Sequence, residues 1–500
     1  MADALRILFA VSEVAPFSKT GGLADVAGAL PRALAALGHD VRIVTPRYRS
    51  FDGAVERVTS VRVRTARGDV TATVGRTTLP GSAVPVYTVE DDRGWFDRDG
   101  LYQAGARDFP DNLDRFAFFS RAALDLIAAL DWTPDIIHCH DWQTALIPVY
   151  LKARRRGNGS DAGPPRTVLT IHNLGYQGSF PGEQFSATGL DGDQFTPDGL
   201  EFYGQVNLLK GGLLAADLLT TVSPTYAREI QTESASHGLH GVLTARRSDL
   251  IGIINGIDTD AWNPETDPAL AARFSAADPS GKAACREDLL RRVGLPAGPG
   301  PVVAMITRLA QQKGVDLVIE LLPELVTLDL RLVILGTGDP AYEAELRRWS
   351  VKAPDRLATV LQFDDALAHR VAAGADVFVM PSRYEPCGLS QMYAMRYGAV
   401  PVCHETGGLA DTVVDARPRW TREGRATGFL FRPCDADTLI RALQLALAVY
   451  RDPPAWRRLM TAGMRSDFGW ARSAVEYADA YRRALTRGRA PIRAGEPARP

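Results

Sequence analysis

The chain has 500 residues, too many for one hydrophobic core, because domains run to about 50–250 residues before a second core is needed. Lys plus Arg (57) nearly balance Asp plus Glu (59), leaving a formal charge of −2 and excluding the basic excess of a general nucleic-acid binder. Five scattered cysteines (Cys139, Cys285, Cys387, Cys403 and Cys434) exclude a disulfide framework and point to a reducing, cytoplasmic setting.

The first apolar run, 7–11, ends at Ser12-Glu13, too short for a signal-peptide core, and no run of about 18 apolar residues offers a membrane span. In chain order, segments 6–11, 41–45, 84–89, 135–139, 167–171, 218–222 and 250–254 read as strands in the first half. Segments 302–307, 331–335, 358–363, 376–380 and 400–404 do so in the second. Each is a short apolar run bounded by Gly, Pro or Asp and followed by a helix-length stretch, the pattern of parallel sheets wrapped by helices. The clearest helix is 113–130, with Leu113, Phe116, Leu124 and Ile127 on one face. The fold class expected is therefore α/β. Segment 258–301 has no strand signal and contains Asn-Pro, Asp-Pro and Pro-Ala-Gly-Pro-Gly, which reads as a linker or hinge. The domains expected are 1–258, a linker 259–300, 301–469, a C-terminal helix 470–486 packing back on the first domain, and a disordered Arg/Gly/Pro-rich tail 487–500.

One repeat joins the halves. Thr20-Gly21-Gly22-Leu23-Ala24-Asp25 recurs as Thr406-Gly407-Gly408-Leu409-Ala410-Asp411, each after a strand and opening a helix, which suggests two similar α/β domains facing each other. A helix start presents unpaired N–H groups and partial positive charge, and glycine lets a phosphate approach that backbone closely. Lys19 precedes the first turn, and lysine is scarce in this chain, six in all.

Further loops follow strand ends, where open α/β sheets bind ligands. Arg308 and Lys313, five residues apart on the loop after 302–307, suit two oxygens of a diphosphate, one as a planar fork and one as a point charge. After 376–380 comes Tyr384-Glu385-Pro386-Cys387-Gly388-Leu389. Glu385 there could hold sugar hydroxyls or offset positive charge at an anomeric carbon, and Cys387 reads as a small buried thiol in preference to a nucleophile. His138 and His140 alternate to one side of a strand, but no second ligand cluster accompanies them. Asp141 and His172, at two strand tips, are more economically read as sugar contacts than as metal ligands. Gly336-Thr337-Gly338-Asp339-Pro340-Ala341 matches a dinucleotide fingerprint, and a dehydrogenase is the rival it would support; that rival leaves the other loops idle.

The stretches KTGGLADV, HCHDWQ, TIHNLGYQG, INGID, TRLAQQKG, PSRYEPCGL and ETGGLADTV, in this order, resemble the bacterial glycogen synthase and plant starch synthase family, and the resemblance covers 6 to about 470. It implies the glycosyltransferase B fold, two Rossmann-like domains facing across a deep cleft. It further implies transfer of glucose from ADP-glucose to the non-reducing end of an α-1,4-glucan such as glycogen, with retention and with no metal or other cofactor. By motif position it implies that Lys19, with Gly21 and Gly22, contacts the donor nucleotide, and that Arg308 and Lys313 hold the diphosphate. Glu385 then lies near the transferred glucose, and Asp141, His172 and Asn255 line its pocket. Cys387, Gly388 and Leu389, and Thr406, Gly407 and Gly408, would hold sugar hydroxyls and phosphate through their amides, with Tyr384 a candidate to stack on the base. Tyr393 stands where many retaining enzymes of this fold carry a second Glu, a departure this branch shares. No other carboxylate is paired with Glu385, which favours same-face attack with the leaving phosphate as base. The rival within the family is a catalytically silent glucan-binding paralogue.

Overall fold

The computed structural model describes residues 4–105, 107–157, 165–362, 364–416 and 423–486; the tail expected at 487–500 lies outside them. The chain divides into two compact units. The first comprises Met1–Val222, Ala227–Ile253 and Trp470–Pro500, and the second Ser223–Tyr226 and Ile254–Gly469.

The first unit is built on β1 (Arg6–Ala10), β2 (Asp40–Pro46), β3 (Glu56–Thr65), β4 (Gly68–Thr78), β5 (Pro85–Asp91), β6 (Ile136–His140), β7 (Arg166–Ile171), β8 (Leu218–Thr221) and β9 (Leu250–Gly252). They lie in one sheet in the order β9-β8-β7-β6-β1-β2-β5-β4-β3. From β9 to β5 every pairing is parallel, with Phe9 of the central β1 registered against Ile43 on one side and His138 on the other. Strands β3 and β4 form an antiparallel hairpin appended to β5, and neither was expected from sequence. Their burial alternates, with Val63, Val70, Ala72 and Val74 inward and charged neighbours outward. A search for continuous apolar runs overlooks strands with one solvated face.

The second unit contains β10 (Val302–Ile306), β11 (Arg331–Leu335), β12 (Leu357–Val360), β13 (Val377–Met380), β14 (Val400–His404) and β15 (Phe429–Phe431). All pairings are parallel, in the order β12-β11-β10-β13-β14-β15. Apolar clusters fill both sheet faces, one around Leu322, Ile334 and Leu439, the other around Leu289, Val333 and Phe378.

The domain limits expected from sequence differ at two places: the first unit runs only to Ile253 and lacks Ser223–Tyr226, and the expected linker is reassigned. Segment 259–300 is part of the second unit, not a free linker. It carries the helix Gly281–Val293, whose Leu289 and Leu290 are buried and whose Lys282 ammonium donates to the carbonyls of Ala373 and Tyr397, each at 2.8 Å. The Asn-Pro and Asp-Pro turns were real breakers, but the apolar side chains between them are sufficient anchors. The last helix, Trp470–Thr486, belongs to the first unit, where Trp470, Tyr477 and Tyr481 join the core under β1 and β2.

Candidate active site

In the first unit the residues expected to carry chemistry sit at the C-terminal ends of β1, β6 and β7, as ligand sites of parallel sheets do. After β1 the chain loops to the helix Gly22–Ala36. Glu13, which sequence reading passed over, organises this loop. Its buried carboxylate accepts from Thr20 N at 2.5 Å, Gly21 N at 3.3 Å, Thr20 Oγ1 at 3.0 Å and Tyr102 OH at 3.1 Å. Burial nonetheless raises its pKa, the four hydrogen bonds pulling the other way. Of the two glycine amides expected to be open to a phosphate, that of Gly21 is thus already held by a side chain, as is its neighbour Thr20 N. Gly21 is extended, with φ −158°, and a Cβ there would meet nothing within 4 Å. Lys19, half exposed, pairs with Asp25 at 2.7 Å. The signal for Glu13 was available in the sequence: an acid directly after a buried strand run is an expensive residue to place there without a task.

At the ends of β6 and β7 three histidines cluster with tilted rings. His138 and His140 do point to one side, their rings 4.1 Å apart. His138 uses both nitrogens on protein hydroxyls, Nε2 with Thr170 at 2.6 Å and Nδ1 with Tyr481 at 2.8 Å. His140 Nδ1 meets His172 Nε2 at 2.9 Å. Burial lowers all three pKa values, that of His172 to about 3, so all are neutral at pH 7. Asp141 turns the chain from β6 with φ +53°, a left-handed conformation uncommon for a residue with a Cβ. Its carboxylate accepts from His172 N at 2.7 Å, and burial pushes its pKa up to about 7. The structure therefore brings Asp141 and His172 together.

In the second unit, β10, β13 and β14 present their loops side by side. Gln311–Lys313 form a turn of 3-10 helix closed by Gly314 at φ +67°, where a Cβ would lie 2.1 Å from the carbonyl oxygen of Pro381. That contact lets the β10 and β13 loops meet. Lys313 Nζ reaches Glu385 Oε2 at 2.6 Å, and Ser382 Oγ donates to the same oxygen at 2.9 Å. Arg308 donates to Gln312 Oε1 at 3.0 Å, and Gln312 Nε2 donates to the Tyr384 carbonyl at 3.3 Å. Arg383 is forked on Asp316 at 2.8 and 2.6 Å, pinning the loop from behind. Cys387 is buried and its thiol is pushed up to about 12, so it is no thiolate at neutral pH.

The second glycine turn differs from the first. Gly407 has φ +43°, and Cβ atoms on Gly407 and Gly408 would lie 2.0 Å from the Glu385 carbonyl oxygen and 2.1 Å from that of Cys387. Gly408 N donates to the Glu385 carbonyl at 3.1 Å. These glycines press the β14 turn against the Glu385 loop, whereas Gly21 has open space. Gly388, at φ +70°, faces Gln391, whose amide donates to the Cys387 and Gly388 carbonyls. Leu389 and Thr406 stand at the N-cap positions of the helices Ser390–Arg396 and Gly407–Thr412. Asn255 lies in the second unit, its backbone against the Cys387 thiol and its buried Oδ1 without a protein partner. Tyr393 stacks on Trp262 at 3.9 Å.

The fingerprint at 336–341 has another use. Cβ atoms on Gly336 and Gly338 would sit 1.8 Å from the Thr307 carbonyl oxygen and 2.2 Å from that of Leu309. Leu309 N donates to Thr337 O at 2.9 Å, and Asp339 N donates to Leu309 O at 2.8 Å. The glycines clamp the Arg308 loop, and the Gly338 amide is already held by Glu343 Oε1 at 3.1 Å.

Two comparisons define the class. Residues 6–245 match the family described as the starch synthase catalytic domain, and residues 287–458 match glycosyl transferases group 1. With two α/β units carrying parallel sheets, the architecture is that of a type B glycosyltransferase. Among curated proteins, a glycogen synthase from Anaeromyxobacter sp. (strain Fw109-5) is 51% identical over 96% of this chain and 99% of its own. Glycogen synthase 2 from Geobacter sulfurreducens is 49% identical over the same shares. The solved catalytic domain of starch synthase IV from Arabidopsis thaliana, bound to ADP and acarbose, superimposes with TM-score 0.89 at 36% identity, covering 97% of this chain and 100% of that one. The chain belongs to the glycogen synthase family.

Proposed function

We propose that this glycogen synthase takes glucose from ADP-glucose and adds it, with retention, to the non-reducing 4-hydroxyl of an α-1,4-glucan. The observation that carries the reading is the Lys313–Glu385 contact at 2.6 Å. It sets a cation for phosphate and a carboxylate for a sugar side by side on the tips of β10 and β13. The ADP found on the starch synthase IV structure supports a nucleoside diphosphate as leaving group.

Cleavage of the glycosidic C–O bond builds oxocarbenium character on the sugar and negative charge on the departing diphosphate. Arg308 and Lys313 take the second charge, with the amides of 387–389 and 406–408 adding dipoles; Lys19 is assigned to the donor by its motif position. In this reading no metal or other cofactor is used, the cations neutralising the diphosphate leaving group as Mg²⁺ does in enzymes that use it. Glu385, fixed by Lys313 and Ser382, offsets the positive charge at the anomeric carbon. Asp141 and His172 hold glucose hydroxyls, the neutral imidazole as donor or acceptor and the carboxyl in either protonation state. The leaving phosphate takes the acceptor's proton during same-face attack. Tyr384 and Asn255 complete the donor and glucose contacts.

No helix among the described residues is long and apolar enough to cross a membrane, in keeping with soluble substrates. Incubation with glycogen and either ADP-glucose or UDP-glucose tests the proposal. ADP release with chain extension is expected, faster than with UDP-glucose. Release from neither donor would leave a silent glucan-binding protein, and a preference for UDP-glucose would overturn the donor assignment.

A further inference from the structure

The reaction proposed above involves a neutral glucan and one diphosphate, and the cations assigned to that diphosphate sit on the β1 and β10 loops. A second concentration of positive charge lies elsewhere in the second unit. A cavity of about 730 Å³ is lined by the helix Pro453–Arg465 and by residues 414 and 424–427. Among the described residues, four of the eleven that line it are arginine (Arg425, Arg457, Arg458 and Arg465), and none of the eleven is acidic. Basic residues number 57 in 500, six of them lysine, so eleven residues drawn at random would include about one arginine and about one acid.

The arginines are also poorly neutralised. Arg425 has Glu423 at 3.7 Å, and Arg457 adds a minor pull on Asp278, whose carboxyl is held low chiefly by Ser280. Arg458 and Arg465 make no ion pair among the described residues. Arg457, Arg458 and Arg465 share one helix face with Thr461 between them, and like charges so arranged repel. Arg465 and Ser466 also border a neighbouring cavity of about 350 Å³, lined by Asp467 as well, where the buried Nε of Arg396 has no hydrogen-bond partner among the described residues. The walls between the cations are apolar: Val414, Pro454 and Ala462. Guanidinium forks match phosphate oxygens two at a time, and the four arginines, all exposed, rim an open concavity in which one small phosphorylated molecule can meet more than one of them.

We infer that this cavity is a second anion site, separate from the sugar-nucleotide loops, which binds a small phosphorylated compound through Arg458 and Arg465 with Arg457 and Arg425 at its rim. The inference does not depend on which donor the enzyme uses.

Calorimetric titration of the full chain at fixed ionic strength tests it, with inorganic pyrophosphate and glucose 6-phosphate as probes and glucose as the uncharged control. Lys313→Ala serves as the background, so that the diphosphate position of the active site contributes least. Saturable binding of at least one phosphorylated probe is expected, and none of glucose. Arg458→Gln with Arg465→Gln should weaken it by about ten- to a hundredfold, the loss of one or two charge-assisted hydrogen bonds, with an unchanged thermal midpoint. Binding that is unaltered in the double variant, or that only tracks ionic strength, would overturn the site. So would binding that is absent from the Lys313→Ala chain but present in the native one. A lowered thermal midpoint in the double variant would call for the single Arg458→Gln chain, which must show the same direction of loss.

Discussion

At the scale of single residues, two carboxylates do unlike work. Glu385 is nearly buried and shares one oxygen between an ammonium and a hydroxyl. Removing either partner of a group acting on a developing charge costs transition-state stabilisation. Lys313→Ala and Glu385→Ala should each lower kcat by about 10²–10³ with the far-UV circular dichroism unchanged. A variant that keeps near-native turnover would remove its residue from the mechanism. Glu13 acts one step back, through the Thr20 and Gly21 amides. Glu13→Gln can present an N–H₂ to those donors where an acceptor is needed, and an unmet buried donor costs about 1–3 kcal/mol. The expected result is a raised KM for the nucleotide sugar with a smaller change in kcat, as the Lys19 turn loosens. An unchanged KM would make Glu13 merely structural.

At the scale of elements, the ends of β6 and β7 set an acid limit to stability. His138, His140 and His172 have pKa values lowered by burial from an ordinary 6.5. The unfolded chain therefore takes up protons below pH 6.5 that the native one refuses, and stability falls on acidification. Asp141 works in the opposite sense. Its carboxyl is raised from 3.8 to about 7, so the native chain keeps a proton that the unfolded chain releases, and stability falls as pH rises from about 4 to 7. Between pH 4 and 6.5 three imidazoles outweigh one carboxyl. Urea midpoints at pH 5, 6, 7 and 8 should peak near neutrality and drop at pH 5; in Asp141→Asn the acid-side drop should steepen. A midpoint equal at pH 5 and 7 would contradict this balance.

The same elements show what could be read in the chain beforehand. Every parallel strand except the three-residue β15 announced itself as an apolar run, and the loops after β10, β13 and β14 were found from their Gly, Arg and Lys. The hairpin β3–β4 was missed because its alternation is half polar. The two Gly-Gly turns looked equivalent as letters. Only backbone geometry separates Gly21, with open space around it, from Gly407 and Gly408, which are packed on carbonyls. Glu13 and Ser382 escaped although their partners are close in sequence, Thr20 and Gly21 for the one and Glu385 for the other, because only the folded loop turns those groups toward each other.

At the scale of the molecule, the first unit is discontinuous. Its core includes Trp470, Ala474, Tyr477 and Tyr481 from the last helix, and Tyr481 supplies the hydroxyl on His138 Nδ1. Each large side chain so buried contributes about 1.5–3 kcal/mol, a sum comparable with the whole stability of a domain, about 5–15 kcal/mol. A chain ending at Gly469 should therefore present a protease-sensitive first unit beside a resistant second one. Equal resistance of both, mapped by mass spectrometry of the digest, would show that the helix is dispensable.

That helix also imposes a schedule. A ribosome releases the chain from its N-terminus, so residues up to Ile253 emerge well before Trp470. At about 5–20 residues per second the interval is roughly 10–40 s. During that time the second unit is itself still emerging, its core residues Trp456, Leu459 and Met460 arriving just ahead of Trp470, while the nascent first sheet waits with an apolar groove under β1 and β2 uncovered. Translation speed, and whatever shields that groove in the meantime, thereby become part of how this enzyme reaches its native state.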